Sequence, residues 1–346
     1  MRKVSVKMIA ERTNLSPGTV SLILNGRARE MRISEETEKR VLEEAKKLGY
    51  QPNIYARRLR QQTSQKVSAV IGILWPSLYS SELLVRFFDG LHSGILENKL
   101  DVEIVFKPYH YSKICEIGEV FKDHFYNGVI VVGASDTDMD YINKENTLMP
   151  VVFFNRQNDK FGSVCLDDYN VGKMVAELFS VRGHKSAAII ESNLIMKHFS
   201  MRKIGFLDSC QRFGISVPEE HIIQETMDEQ GGKRAMKKIF ESKTHPTALF
   251  FSNPAGMING AYQFLHANGI RIPEDVEIVG YGDTIISELL DPSLTVIDLP
   301  VQNMVIRCIQ LILEIIKGRE DQSITVFEQT NFIFRDSCGD FSTKWK

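Results

Sequence analysis

No apolar run in the 346-residue chain approaches the eighteen or so residues that a membrane span requires. Met1-Arg2-Lys3 is not followed by the uninterrupted apolar stretch of a signal peptide, so a cytoplasmic protein is expected and no membrane partner. Cysteine is sparse. Five residues (115, 165, 210, 308 and 338) stand far apart without a CxxC pair, which argues for reduced thiols and against a disulfide framework or a zinc site. The eight histidines show no metal-ligand spacing. There is no GxxxxGK[ST] loop, no HExxH and no GxSxG, and Gly280-x-Gly282 is not completed to GxGxxG. A non-enzyme without cofactor or metal is expected. Low-complexity sequence is also missing, and the length is too great for one compact core, so two or three domains are expected.

Charge is present but unevenly placed. Residues 1–66 hold 15 Lys and Arg against 7 Asp and Glu, while the remaining 280 hold 27 against 37. A basic head on an acidic body is the footprint of a chain that meets a polyanion with one end. That head opens with two short helical patterns. Ser5 is a plausible N-cap for Val6-Lys7-Met8-Ile9-Ala10, with Val6, Ile9 and Ala10 on one side. Thr13-Asn14-Leu15 makes a turn, Asn tolerating left-handed φ. Ser16 then caps a second helix with Pro17 at its first position, where the missing N–H costs nothing, and Val20, Ile23 and Leu24 form its apolar side. Two helices of about eight residues joined by about three match the helix-turn-helix unit, whose second helix enters the DNA major groove. An ordinary helical hairpin inside a larger core is the competing reading of these twenty or so residues, and the charge asymmetry weighs against it.

After Asn25-Gly26, the loop Arg27-Ala28-Arg29-Glu30-Met31-Arg32 carries three arginines. Ser34 caps a third helix with Glu35 and Glu36 in its first turn; Val41, Leu42, Ala45 and Leu48 are expected on one face and Gly49 ends it. In Tyr50 to Arg60 a cap at Asn53 and about two helical turns fit, too short to be stable alone in water, so this segment is expected to order only against DNA and a partner copy. Polar Gln61 to Gln65 reads as a linker.

The series VSVKMIA, TVSLILNG and LGYQPNIYARRL resembles the lactose-repressor (LacI/GalR) family of bacterial transcription regulators, and the resemblance extends over the whole chain. It implies that the second helix reads base edges, that residues around it hold phosphates, and that paired hinge helices enter the minor groove. Ser5, Lys7, Ser16, Thr19, Ser21, Asn25 and Arg27 thereby become candidate backbone contacts, and Pro17, Gly18 and Leu22 occupy base-reading positions. Leu59 resembles the leucine wedge that unstacks the central base step, helped by Asn53, Ala56 and Arg57. Leu22 departs from the family, which commonly has Arg there. An Arg clamps guanine with two hydrogen bonds and Leu22 cannot; Pro17 and Leu22 are expected to touch thymine methyls, and Gly18 to let the backbone approach closely.

From Val67 the rhythm changes to apolar runs alternating with helical patterns. Strands are expected at 67–74, 102–106, 128–132, 151–154, 187–190, 248–251 and 276–280, with helices over 82–96 and near 114–125. This alternation means parallel sheets wound by right-handed crossovers, too many strands for one sheet, hence two similar lobes. The resemblance implies an α/β fold: a three-helix head plus hinge helix, then a two-lobed, type I periplasmic-binding-protein-like body of doubly wound parallel sheets. The expected division is 1–50 for the DNA-binding head, 51–66 for hinge helix and linker, and 67–346 for the body. Lobe 1 spans about 67–163 and 296–325, lobe 2 about 164–295 and 326–340, with chain crossings near Ser163, Thr295 and Val326.

Ligands in such folds lie beyond the carboxyl ends of the strands, between the lobes. Candidate effector contacts carried over from the family are Asn155 and Arg156 after one strand, Arg202, Asn253, and Asp283 in Gly280-Tyr281-Gly282-Asp283; Ser77, Tyr79 and Ser80 follow the first strand. Each has a plain alternative: a surface ion pair for Arg156, a helix-face charge for Arg202, a turn role for Asn253. Pro254 replaces a usual Asp, Gly282 stands where an Asp often grips a sugar hydroxyl, and Asn155 replaces an acid. A pocket with two carboxylates fewer and two arginines retained favours a less polyhydroxylated or a negatively charged ligand. His184, in Arg182-Gly183-His184, fits a family turn in which histidine satisfies backbone groups.

The resemblance implies a homodimer on a pseudo-palindromic operator of double-stranded DNA, nucleoid-associated when bound, with a small-molecule effector (a sugar, sugar derivative or acid) closing the cleft and shifting the hinge helices. Release by ligand is the commoner sign in the family. A body that binds a protein partner or no ligand is the alternative; a sugar-handling α/β enzyme with a fused head is more remote. The tail Phe341 to Lys346 is too short for the heptads of a tetramer-forming coiled coil, which favours dimers.

Overall fold

In the computed structural model the described residues are 6–24, 28, 31, 33–48, 69–77, 81–122, 125–145, 147, 149–193, 197–253 and 256–339. The chain divides into two compact units, residues 1–68 and 69–346.

In the first unit, α1 (Val6–Thr13), α2 (Pro17–Leu24) and α3 (Glu35–Lys47) surround one small core. Asn14 takes φ 52°, in the left-handed region that Asn tolerates, and the Leu15 N–H folds back 3.0 Å onto the Ala10 carbonyl, closing α1. Ser16 Oγ accepts the Thr19 N–H at 3.0 Å, which caps α2 ahead of Pro17. Ile9, Ala10, Val20, Ile23, Val41 and Ala45 are buried together, with Ala28 added from the loop. Leu42, expected on the inner face of α3, is 46% exposed. Val41, Ala45 and Leu48 follow the i, i+4, i+7 row, and a 100° step per residue carries Leu42 off it.

The second unit holds two six-stranded sheets. Lobe 1 is built from β1 (Ala69–Pro76), α4 (Ser81–Glu97), β2 (Val102–Tyr109), β3 (Gly128–Val132), α5 (Asp136–Lys144), β4 (Val151–Phe154) and β5 (Gly162–Cys165). Lobe 2 follows with α6 (Asp168–Val181), β6 (Ala187–Ser192), α7 (Lys197–Phe213), β7 (Ile222–Glu225), α8 (Glu229–Phe240), β8 (Ala248–Phe251), α9 (Met257–Ala267), β9 (Glu277–Tyr281), α10 (Ile285–Leu289) and β10 (Thr295–Ile297). α11 (Val301–Ile316) then returns to pack on α4, β11 (Thr325–Phe327) joins lobe 1, and β12 (Phe332–Ile333) joins lobe 2. The orders are β11-β5-β4-β3-β1-β2 and β12-β10-β9-β8-β6-β7, parallel throughout except for β12 against β10. The inner strands β3, β4 and β8 are continuous, fully buried apolar runs, as expected of parallel strands covered on both faces.

Strand ends put the chain crossings at 166–167, 298–300 and 328–331, a few residues past Ser163, Thr295 and Val326, which lie inside β5, β10 and β11. Residues 114–121 form 3₁₀ turns in place of the expected helix. Ile117 leaves the helical region (φ −111°, ψ 18°), and the Asp138 carboxylate takes the N–H groups of Ser112 and Ile114, which fixes the entry to the turn from outside. His184 is satisfied by side chains and not by backbone groups: Nδ1 lies 2.8 Å from the Thr247 hydroxyl and Nε2 3.1 Å from Glu277. Burial opposes ionisation of Glu277, yet His184 and Arg182 together hold its carboxyl below the usual range. All five cysteines are free thiols, four of them buried. Among the described residues, no helix is long and apolar enough to cross a membrane.

Candidate DNA-reading face and effector cleft

Capping at Ser16 leaves the first turn of α2 at the surface. Lys7, Ser16, Pro17 and Gly18 are exposed, and Thr19 and Leu22 half-buried. Gly18 and Leu22 are one turn apart, so they share a face with Pro17 beside it. The Ser16 and Thr19 hydroxyls are 2.9 Å apart, a pair of donors at a helix N-terminus, where anions are favoured. Ser21 is 8% exposed, the most enclosed of the described phosphate-anchor candidates. Ser5, Asn25, Arg27, Asn53, Ala56, Arg57 and Leu59 lie outside the described residues.

In the body, a cavity of about 400 Å³ opens at the carboxyl ends of β4, β5 and β11. Asn155, Arg156 and Asp136 line it from lobe 1, Asp167 from the first crossing, Asp168 and Tyr169 from the start of α6, and Met201 from α7. Asn155 takes φ 54° and donates its N–H to Val164 at 2.7 Å, so β4 turns sharply at its end and presents the next side chain to the cavity. Arg156 is 5% exposed and its Nη2 pairs with Asp136 in the first turn of α5. Cys165 adds an apolar wall: burial pushes its thiol up to about 12, so it stays protonated.

Behind the cavity lies a second guanidinium. Arg202 is completely buried. Its Nε and Nη2 donate to Asp168 Oδ1 at 3.1 and 2.6 Å, Nη1 donates to the Ser252 carbonyl, and the Tyr281 ring stacks 3.3 Å from its Cζ. Burial raises the Asp168 carboxyl above its ordinary value against the pull of Arg202. Tyr281 is likewise raised by burial, and its hydroxyl lies against the Asn155 side chain, contributed by the opposite lobe.

The candidate residues therefore separate. Asn155 and Arg156 share the cavity, whereas Arg202 forms its backing and is neither a helix-face charge nor open to the cavity. Asn253 is 8% exposed and accepts from the Ser252 hydroxyl at 3.2 Å. Asp283 does not line this cavity: Arg335 holds Oδ1 at 2.8 Å and Oδ2 at 3.0 Å. Ser77 is exposed with its N–H on the Tyr109 carbonyl and does not line the cavity; Tyr79 and Ser80 lie outside the described residues. Both arginines already have carboxylate partners, and the cavity carries five aspartates (136, 140, 159, 167 and 168). The expected preference for a negatively charged ligand is not supported by that charge balance. Asp136 and Asp168 were missed in the sequence. The available signal was an acid in the first turn of a helix after a strand, which reads equally well as ordinary capping.

Comparison with known proteins accounts for both units. Residues 5–53 match the family model for bacterial regulatory proteins of the lacI family, and residues 176–338 that for a periplasmic binding protein-like domain. The chain is 29% identical to the probable HTH-type transcriptional repressor ExuR of Bacillus subtilis, over 98% of this chain and 100% of the relative. It is 27% identical to the HTH-type transcriptional regulator GalS of Salmonella typhimurium, over 93% of each. A LacI family transcription regulator from Clostridium acetobutylicum superposes with TM-score 0.72 at 29% identity, over 78% of this chain and 100% of that one. The lac repressor dimer bound to operator and an anti-inducer shares the fold at TM-score 0.69 and 20% identity, over 98% and 100%. These relatives are transcriptional regulators and not enzymes. The chain thus carries a helix-turn-helix domain of the lacI family of bacterial regulatory proteins and a periplasmic-binding-protein-like domain, and over nearly its whole length it is similar to transcriptional regulators built in the same way.

Proposed function

We propose that the protein is a ligand-responsive repressor, a homodimer that reads a palindromic operator with Pro17, Gly18 and Leu22 of α2 while Lys7, Ser16 and Thr19 hold phosphates. The observation that carries this reading is the exposed first turn of α2 on a head with an excess of Lys and Arg. Asn25, Arg27 and the hinge residues Asn53, Ala56, Arg57 and Leu59 complete the contact set. Selection from random duplexes at moderate salt is expected to enrich one palindrome; a pool that never converges would sink the proposal. Leu59→Ala is expected to lower affinity for the selected duplex by about tenfold or more, since the apolar wedge is what repays unstacking. Random-sequence binding and its salt slope should be spared. An unchanged ratio of specific to random binding would show that Leu59 is not inserted.

The effector we assign is a sugar or sugar derivative held by Asn155, Arg156 and the aspartates of the 400 Å³ cavity, whose many acceptors suit hydroxyl groups. The solved structure of the transcriptional regulator CelR with cellobiose is a relative in fold that holds such a ligand. A thermal-shift screen of neutral sugars, sugar acids, sugar phosphates and nucleobases is expected to favour the neutral sugars, at about 2.7 kcal/mol for a hundredfold excess over Kd. A sugar phosphate as the strongest hit would overturn the assignment, and no hit at all would favour a body that binds a protein partner or no ligand.

Support for the homodimer comes from apolar side chains left at the surface of both lobes: Val85 and Phe88 on α4, and Ile285 and Leu289 on α10, the last 76% exposed. Arg86, between the first two, donates to the Asp283 carbonyl two residues before Ile285, so the patches adjoin. Leu289→Asp is expected to shift the sedimentation coefficient to that of a monomer, and an intact dimer would remove this face from the interface.

A further inference from the structure

We propose that Arg86 is a latch that holds the two lobes in their present orientation, and that its release is required for one lobe to turn against the other. Arg86 belongs to α4 of lobe 1, which packs against α11. Its Nη1 donates to the carbonyl of Asp283, at the end of β9 in lobe 2, at 2.6 Å. Its Nη2 donates to Asp298 Oδ1 at 3.0 Å and to the Leu299 carbonyl at 2.8 Å, both on the second chain crossing. One planar guanidinium thus joins a lobe 1 helix, a lobe 2 strand end and the segment between them. Asp283 is itself rigid, since Arg335 grips both of its carboxylate oxygens. A rotation of lobe 2 has to move Asp283 away from Arg86 or drag α4 with it, because a hydrogen bond fails within a fraction of an ångström. Directional donors make the contact two-state rather than elastic.

The position of Arg86 gives the latch its consequence. Its neighbours Val85 and Phe88 are exposed on the surface assigned above to the partner subunit, so movement at the latch is transmitted to that surface. This consequence rests on the proposed dimer; the latch itself does not. A lysine does not replace it, having one ammonium where three acceptors are spread around a fork.

The test measures the lobes directly in the full chain. Spin labels placed by Glu97→Cys on lobe 1 and Lys237→Cys on lobe 2, both exposed, with the exposed Cys115 changed to Ser, report the interlobe distance by double electron–electron resonance. With the labelled chain diluted into an excess of unlabelled chain, so that each dimer carries labels on one protomer only, the unaltered latch is expected to give one narrow distance. Arg86→Met and Arg86→Lys are each expected to add a second, shifted population, and Asp298→Asn a smaller one. A distribution for Arg86→Met that superimposes on the parent would overturn the proposal. Should Arg86→Met fail to fold by circular dichroism, the Lys and Asp298→Asn variants decide: two narrow, unshifted distances would overturn it equally. Because no DNA or ligand enters the measurement, its failure is distinguishable from failure of the repressor assignment.

Discussion

Arg202→Met is expected to destabilise the body by about 3–5 kcal/mol, the range found when one partner of a buried ion pair is removed. In a unit of this size that corresponds to a fall in Tm on the order of 10 °C. The reason lies in what the guanidinium leaves behind. Asp168, 8% exposed, loses the donors that bond its Oδ1, and the Ser252 carbonyl loses one as well. Burial already holds the Asp168 carboxyl above its usual value; without Arg202 only the charge of Arg156 still opposes that rise. A carboxyl whose folded pKa lies above its unfolded one binds more protons in the folded state, so the damage is greatest at neutral pH and shrinks as pH falls through the folded value. Pairing Arg202→Met with Asp168→Leu removes both charges and is expected to recover most of the loss. Urea unfolding of the single and double variants at two pH values checks this. A single variant within about 1 kcal/mol of the parent would mean that the pair is not desolvated as the structure has it.

Gly172→Ala is expected to destabilise by about 2 kcal/mol or more although alanine is the better helix former. Propensity favours the substitution by about 1 kcal/mol. Against it, a Cβ on Gly172 would overlap the Arg202 carbonyl oxygen and stand 2.5 Å from the Phe206 nitrogen, which are backbone atoms of α7 and cannot swing aside. Overpacking of this kind costs about 1–3 kcal/mol and sometimes more. Gly205 makes the reciprocal approach to the Tyr169 carbonyl, so α6 and α7 touch backbone to backbone. Their separation also sets the reach between Asp168 on α6 and Arg202 on α7, so the ion pair should weaken in the same variant. Thermal unfolding beside Lys173→Ala, an exposed change on the same helix, separates the steric effect from propensity. A Gly172→Ala protein as stable as that control would show that the two helices are further apart.

Much of the architecture is legible in the amino-acid sequence. The caps at Ser16 and Ser34, the turn at Asn14 and the apolar runs of β3, β4 and β8 depend on local chemistry, and each element lies where that chemistry puts it. Where a neighbour intervenes, local reading failed. Residues 114–121 became 3₁₀ turns under the hold of Asp138, and Leu42 fell outside the core by a single helical step. The site was less legible than the fold. Arg156 and Arg202 were found by likeness to other proteins, but their carboxylate partners come from elements 20 and 34 residues away. Such pairings neutralise the positive charge that a ligand would otherwise meet.

Amino-acid order alone thus determined the basic capped head, the alternation that makes two parallel sheets, and the lack of any catalytic signature, because all three depend on neighbours a few residues apart. Only the tertiary structure decided that Arg202 is enclosed, that Asp283 answers to Arg335, and that Arg86 bridges the lobes. Those outcomes turn on which distant groups desolvate one another, and electrostatics at a buried site follows distance in space rather than distance along the chain.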